Sequence, residues 1–204
     1  MRINKKKFIY LIYPNKIYKK FFKDLRKVLE TGKISFFQLR LKKYSFKHKI
    51  LIGQKIKNIC KKNKVKFLIN DDPIVAKRLG ADGCHLGQED MNIKEARKII
   101  GKKIIGITCH NSITLAKIAI KAKASYLAFG AFYSSKTKKT YHTAEVKILK
   151  KIKKITKTPI VAIGGINSKN YKKLLLNNAN FLAISGYIWN NKKYKPLEAI
   201  EKLK

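Results

Sequence analysis

The feature that most limits what this chain can fold into is a regular alternation of short apolar segments with longer amphipathic ones. An apolar run of about four to eight residues is typical of a strand that is buried on both faces. Such runs alternating with helix-like segments are typical of βα units. The strand-like runs lie at 8–13, 36–39, 67–69, 83–86, 104–107, 126–129, 160–163 and 181–184.

The segments between these runs carry the apolar spacing of helices that bury one face. Asn92, Asn111 and Ser168 stand where helix N-caps are expected. About eight strand–helix units are the number that closes a parallel barrel. We therefore predict that residues 1–204 form a single α/β domain, a (β/α)8 TIM barrel with parallel strands. Its predicted helices lie at 19–29, 48–61, 74–79, 93–100, 112–121, 145–155, 169–176 and 196–203.

The chain is strongly basic, with 49 Lys and Arg against 11 Asp and Glu and a formal net charge of +38. Such a charge can indicate nucleic-acid binding. Here the lysines are spread along the whole chain, for instance over 16–27, 55–66 and 147–157. This distribution favours solvated helix faces, so we expect no specific nucleic-acid partner.

The cysteines and the apolar segments bear on the compartment. Cys60, Cys84 and Cys109 are widely spaced and form no C-x-x-C pair, which argues against a disulfide framework and a structural zinc site. No apolar run approaches the roughly 18 residues of a membrane span, and the basic start leads only into a short apolar stretch. We expect a cytoplasmic protein with neither a signal peptide nor a membrane partner. Homo-oligomers are compatible with this pattern.

Residues with useful chemistry collect directly after the predicted strands. In a parallel barrel the carboxyl ends of all strands meet at one face, so these residues should share one mouth. The glycines after the seventh strand and the Ser-Gly pair after the eighth offer backbone N–H groups where such barrels bind a phosphate. At least one substrate should therefore carry a phosphate. The residues concerned are Arg40, Lys42, Asn70, Asp71, His85, Gln88, Thr108, His110, Gly130, Ser135, Thr137, Lys138, Gly164, Gly165, Ser185 and Gly186.

Five segments within about 36–185 resemble the thiamine-phosphate synthase family in their order and spacing. They are 38–42 (QLRLK), 69–71 (IND), 80–90 (GADGCHLGQED), 137–138 (TK) and 161–166 (VAIGGI). Each fragment alone occurs in other phosphate-binding barrels, whereas their joint occurrence is specific. The resemblance implies a transferase that joins 4-amino-2-methyl-5-(diphosphooxymethyl)pyrimidine to a carboxythiazole or hydroxyethylthiazole phosphate. The products are thiamine phosphate and pyrophosphate, formed by a Mg²⁺-assisted dissociative substitution.

The resemblance also implies roles for individual residues. Asp71 and Asp90 correspond to the carboxylates that bind Mg²⁺, which prefers oxygen ligands. The residues that correspond to the catalytic, diphosphate-binding cations are Arg40, Lys42 and Lys138. Those that correspond to contacts with the pyrimidine diphosphate are Gln38, Asn70 and Thr108. Those that correspond to contacts with the thiazole phosphate are Ser135, Thr137, Gly165, Ile184 and Ser185.

The sequence departs from the family pattern at several positions, among them 41, 72 and 134–135. Leu41 replaces a common glutamate, and it should point away from Arg40 and Lys42 because side chains alternate along a strand. Asp72 replaces a common arginine and is expected to add a carboxylate beside Asp71. At 134–135 a Ser-Ser pair replaces Pro-Thr and keeps one hydroxyl in the predicted phosphate site.

Two other functions remain open. A related thiazole tautomerase would use a histidine such as His110 as an acid or base, although the full set of predicted diphosphate ligands favours the synthase. A basic nucleic-acid-binding protein would leave the phosphate-site residues without a role. Cys84 is expected in the core, and Cys109 near the mouth would be reactive only if its pKa were lowered.

Overall fold

The computed structural model describes residues 7–13, 17–134 and 142–204, and within them eight parallel strands form a closed barrel. Each strand pairs with the next along the chain, and the first pairs with the last through Ile9↔Leu182 and Leu11↔Ile184. The predicted TIM-barrel fold is confirmed. The strands are β1 Ile9–Ile12, β2 Ile34–Leu39, β3 Lys66–Asn70, β4 Gly83–Leu86, β5 Ile104–His110, β6 Tyr126–Phe129, β7 Ile160–Ile163 and β8 Phe181–Ile184.

Helices follow the strands, and in the described residues none of them has the length and apolar character needed to cross a bilayer. All eight predicted helices are present; the helix at 93–100 has the predicted bounds, and the others are shifted at one or both ends. One short helix after β8 was not predicted, because a single turn is too short to show helical periodicity. The helices are α1 Phe21–Glu30, α2 Phe46–Lys62, α3 Pro73–Leu79, α4 Ile93–Ile100, α5 Ile113–Lys121, α6 Lys147–Ile155, α7 Tyr171–Leu176, α8 Gly186–Trp189 and α9 Pro196–Glu201.

One of the three predicted N-caps is confirmed and two are wrong. The Asn92 side chain accepts a hydrogen bond from the Glu95 backbone N–H at 3.0 Å and caps α4. The cap of α5 is Ser112 instead of Asn111, because β5 runs on to His110 and moves the start of the helix. Ser168 lies before the cap position of α7, which begins after Asn170.

The core has two layers that follow from the alternation of side chains along each strand. The outer layer lies between strands and helices, and on β2 it contains Phe37 and Leu39. On the same strand Phe36 belongs to the barrel interior, and Gln38, which bonds the interior Tyr10, continues that inward-facing set toward the mouth. The interior layer is formed by Tyr10, Ile12, Phe36, Leu68, Tyr126, Ala128, Val161, Phe181 and Ala183.

Gly106 makes room for a large ring inside the barrel. It lies opposite Tyr126 in the register of β5 and β6. A Cβ atom at Gly106 would lie 1.8 Å from Cζ of Tyr126. The ring therefore occupies the space that a side chain on β5 would fill.

We expect Gly106→Ala to destabilise the protein by about 1 to 3 kcal/mol, the usual cost of overpacking a core. Urea unfolding gives the free energy. The same substitution in a Tyr126→Leu background should cost less, since the ring atoms that clash are gone. An equal cost in both backgrounds would show that the two positions are not coupled.

Candidate active site

A row of four hydrogen bonds crosses the barrel interior, and we call it the interior chain. Nε2 of Gln38 donates to Oη of Tyr10 at 2.9 Å, and this hydroxyl lies 2.8 Å from Oη of Tyr126. The Tyr126 hydroxyl lies 2.9 Å from Nδ1 of His85. Nε2 of His85 lies 2.9 Å from Oγ1 of Thr108. The interior chain thus connects Gln38 with Thr108, two residues predicted to contact the pyrimidine substrate.

The environment of the interior chain keeps its members uncharged. Tyr10 and Tyr126 are buried, and burial raises the pKa of both hydroxyls far above their ordinary value. Burial lowers the pKa of His85 to about 4, although the nearby Asp71 carboxylate acts in the opposite direction. Because a buried polar group is costly unless it is bonded, these neutral residues stabilise one another in the apolar barrel.

Two carboxylates and a lysine meet beside the interior chain. Asp71 follows β3 in a left-handed backbone conformation (φ 63°), and its backbone N–H donates to the His85 carbonyl at 2.8 Å. Asp90 accepts a hydrogen bond from the Gly87 N–H at 2.6 Å. Its carboxyl group lies within hydrogen-bonding reach of Asp71, and burial together with this neighbour raises its pKa. Nζ of Lys42 lies 3.0 Å from Oδ2 of Asp71.

This arrangement suits a hard divalent cation. Two adjacent carboxylates repel each other, and a cation between them removes that repulsion. Mg²⁺ usually takes one or two protein carboxylates and fills its other positions with water and substrate phosphate. The described residues contain no cluster of three or more His, Cys, Asp or Glu side chains that could hold a metal. The Asp71–Asp90 pair is therefore compatible with Mg²⁺ shared with a diphosphate.

The opposite side of the mouth has the features of a phosphate site. Gly165 follows β7 with φ 61°, and a Cβ there would lie 2.3 Å from the Ser134 carbonyl oxygen. Only glycine thus lets the loops after β6 and β7 pack together. The buried Ser185 hydroxyl has no hydrogen-bond partner among the residues that the structure describes. Since an unsatisfied buried hydroxyl costs about 1 to 3 kcal/mol, a ligand oxygen is a natural partner for it.

For the other predicted site residues, the support for a role is their position along the chain. Arg40 directly follows β2, and Asn70 ends β3 in register with His85. The Ile184 side chain lies in the outer layer, so only its backbone is available at the mouth. Ser135, Thr137 and Lys138 lie outside the described residues, and their roles stay predictions.

Two of the residues that depart from the family pattern, Leu41 and Asp72, have structural contacts in the fold. Leu41 packs in the outer layer, as its strand position predicts. Asp72 adds a carboxylate next to Asp71, and both of its oxygens have other partners. Oδ1 caps α3 by accepting from the Val75 N–H at 2.9 Å, and Oδ2 lies 3.3 Å from Nζ of Lys49.

The cysteines near the barrel are not poised for reaction. Cys84 and Cys109 are fully buried, the first in the core as predicted. Burial raises the pKa of both thiols to about 12. At neutral pH they are protonated and therefore poor nucleophiles.

Tyr10 and Tyr126 belong to this site although no motif singles them out. Their only sequence signal is strand alternation, which places Tyr10 on the inward face with Ile12, and Tyr126 with Ala128. That signal identifies an inward position but not a hydrogen-bond partner. The partners depend on how the strands are staggered around the barrel.

The model of the family described as thiamine monophosphate synthase matches residues 9–188 of this chain. The chain belongs to that family. The thiamine-phosphate synthase of Pelagibacter ubique is 68% identical over 207 residues, covering 100% of both chains. That of Erythrobacter litoralis is 38% identical, covering 94% of this chain and 92% of its own.

A solved structure agrees with the family membership. The thiamine phosphate pyrophosphorylase from Pyrococcus furiosus superposes with a TM-score of 0.85 at 28% identity. The match covers 97% of this chain and 94% of that one. As a member of the thiamine monophosphate synthase family, the chain is a transferase of thiamine biosynthesis.

We expect Asp72→Ala to lower the free energy of unfolding by about 0.5 to 2 kcal/mol through loss of the α3 cap. Asp72→Asn keeps a capping oxygen and should retain most of the stability. Urea unfolding of both variants measures this. Turnover at limiting Mg²⁺ should be near the wild-type value in each variant, and a large loss in Asp72→Asn would return this carboxylate to the metal site.

Proposed function

We propose that this protein joins the aminopyrimidine diphosphate to a thiazole phosphate and releases thiamine phosphate and pyrophosphate. The observation that carries the proposal is the position of Lys42, Asp71 and Asp90 directly beside the interior chain. Groups suited to a diphosphate thus lie next to groups suited to a heterocycle. The 68% identical relative is named a thiamine-phosphate synthase, and the reaction that the family resemblance implies needs both.

In the proposed reaction the bond between the pyrimidine methylene carbon and the diphosphate oxygen breaks, and its electron pair leaves with pyrophosphate. The thiazole nitrogen then supplies the electron pair for the new carbon–nitrogen bond. The protein's task is to position the two substrates and stabilise negative charge on the leaving group. Arg40, Lys42 and Lys138 are proposed for that stabilisation, and Gly165 and Ser185 for holding the thiazole phosphate.

We propose Asp71 and Asp90 as the Mg²⁺ ligands. When bound, Mg²⁺ would neutralise charge on the diphosphate and make it a better leaving group. Lys42 already contacts Asp71, so the lysine and the carboxylates can act on the same diphosphate oxygens. Burial and the neighbouring Asp71 carboxylate raise the pKa of Asp90, and a cation bound between the two carboxylates would lower it.

Three smaller proposals accompany the function. We propose one domain over residues 1–204, supported by the pairing of β1 with β8. We propose a cytoplasmic location, supported by three free cysteines. A homo-oligomer stays a proposal, which sedimentation equilibrium tests.

The test of the main proposal mixes purified protein, Mg²⁺, the aminopyrimidine diphosphate and the thiazole phosphate. Thiamine phosphate and pyrophosphate should appear in equal amounts, and neither should form when one substrate is omitted. Isomerisation of the thiazole phosphate without product would favour the tautomerase. Salt-resistant, sequence-selective RNA binding without product would favour the nucleic-acid protein.

We expect Asp90→Asn to remove most of the Mg²⁺-dependent rise in melting temperature. In the metal-free protein the same change should raise the melting temperature at neutral pH. The reason is that a carboxyl group with a raised folded pKa destabilises the fold once pH exceeds that pKa. Calorimetry with and without MgCl₂ measures both effects.

The matched control is Glu89→Gln, which removes a neighbouring exposed charge. It should leave the Mg²⁺-dependent rise in melting temperature unchanged. A full Mg²⁺ response in Asp90→Asn would remove Asp90 from the metal site.

Lys138→Ala should lower turnover by about 100-fold or more while changing substrate affinity less, because its proposed charge acts mainly on the departing diphosphate. Steady-state kinetics separates the two effects. Lys139→Ala, outside the family motif, should be nearly silent. Equal losses in both variants would mean that turnover depends on the overall positive charge of this segment and not on Lys138 itself.

A further inference from the structure

We propose that all hydrogen bonds of the interior chain are donated in the same direction, from Gln38 toward Thr108. This direction makes the protein select an amino-substituted pyrimidine over its oxo analogue. Tyr10, Tyr126 and His85 are then positioning residues that act through Gln38 and Thr108. The selectivity rests on the proposed function. The direction of the hydrogen bonds is a property of the protein alone.

The direction begins at Gln38. Its Nε2 carries only hydrogens, so the Tyr10 hydroxyl must accept from it. The single hydrogen of Tyr10 is then given to Oη of Tyr126 at 2.8 Å. Tyr126 in turn gives its hydrogen to Nδ1 of His85 at 2.9 Å. Each hydroxyl accepts once and donates once.

The same direction of hydrogen-bond donation continues from His85 to Thr108. Because Nδ1 accepts the hydrogen of the Tyr126 hydroxyl, the hydrogen of the ring stands on Nε2. It is donated to Oγ1 of Thr108 at 2.9 Å. The Thr108 hydroxyl keeps its own hydrogen for another acceptor. The backbone carbonyl of Thr108 is already occupied by the side-chain amide of Gln88.

The two ends of the interior chain therefore present defined groups. Gln38 presents Oε1, which can only accept, beside the second hydrogen of Nε2, and Thr108 presents a hydroxyl that can donate. An aminopyrimidine has an N–H donor on its exocyclic nitrogen and lone-pair acceptors on its ring nitrogens. A 4-oxo analogue would place a carbonyl oxygen against Oε1 of Gln38, where two acceptors repel.

The neighbours of Gln38 in the barrel interior are mostly apolar and offer its side chain few other hydrogen-bond partners. The residue is 2% exposed. In the strand register it lies beside Ile12 of β1 and Leu68 of β3, which belong to the interior layer together with Phe36. In the reversed chain, Tyr10 would donate to Oε1 and Gln38 would present its NH₂ group. The reversed chain would favour the oxo analogue, which makes the direction testable.

The first test is ¹⁵N NMR of the histidine side chains at neutral pH without substrate. The protein has four histidines, and His85 is assigned by the signal that disappears in His85→Asn. The inference predicts a neutral His85 ring with hydrogen on Nε2. Hydrogen on Nδ1, or a charged ring, would overturn the direction.

The second test is the ratio of dissociation constants for the aminopyrimidine diphosphate and its 4-oxo analogue, measured by calorimetry in Tyr126→Phe. Without the Tyr126 hydroxyl, Tyr10 loses its acceptor and can donate to Gln38 instead. We expect the preference for the amino compound to fall by about tenfold or more. An unchanged ratio would overturn the positioning role, even if both affinities fell.

Tyr171→Phe is the matched control. Tyr171 is also buried, but its hydroxyl donates to the Lys204 carbonyl outside the interior chain. The amino preference should be unchanged in this variant. Failure of the proposed function would appear separately, as absence of thiamine phosphate with wild-type protein, and would leave the NMR result standing.

Discussion

Pairing of β1 with β8 is the constraint on which the rest of the structure depends. It turns eight separate strands into a closed wall, so that inward side chains pack against one another in a buried interior. It also brings the carboxyl ends of all strands to one mouth. Residues as distant in sequence as Gln38, Asp90 and Ser185 can then act on the same pair of small molecules.

Closure of the barrel also explains why the polar interior chain is tolerated inside it. A tyrosine hydroxyl in an apolar interior is destabilising unless it is bonded. Tyr10 and Tyr126 solve this by bonding each other, and the row ends at groups that face the mouth. The same interactions that satisfy the core thereby fix the orientation of Gln38 and Thr108, the two residues proposed to contact the pyrimidine.

The mouth of the barrel contains a local pair of negative charges, although the chain as a whole is strongly positive. The formal net charge is +38, yet burial and the neighbouring Asp71 carboxylate raise the pKa of Asp90. Two adjacent carboxylates repel each other unless a cation lies between them. This local concentration of negative charge, with Lys42 beside it, is the strongest physical argument for a metal-bound diphosphate.

Much of this could be predicted from the sequence, because strand-like runs and strand-end residues are local patterns. The strands β4, β6, β7 and β8 have the predicted bounds. Cap positions were less predictable, since the extension of β5 to His110 moved the start of α5. The role of Asp72 depended on the approach of Lys49 from another helix. The partners of Tyr10 and Tyr126 depended on strand stagger, which no sequence spacing records.

The most direct test of the account is a crystal structure with Mg²⁺, the aminopyrimidine diphosphate and the thiazole phosphate bound in an inactive variant. The account predicts a metal on Asp71 and Asp90, with the diphosphate between it and Lys42. It also predicts the exocyclic amine within hydrogen-bonding distance of Oε1 of Gln38, and the thiazole phosphate at Gly165 and Ser185. A diphosphate bound away from the carboxylate pair, or an amine facing Nε2 of Gln38, would contradict it.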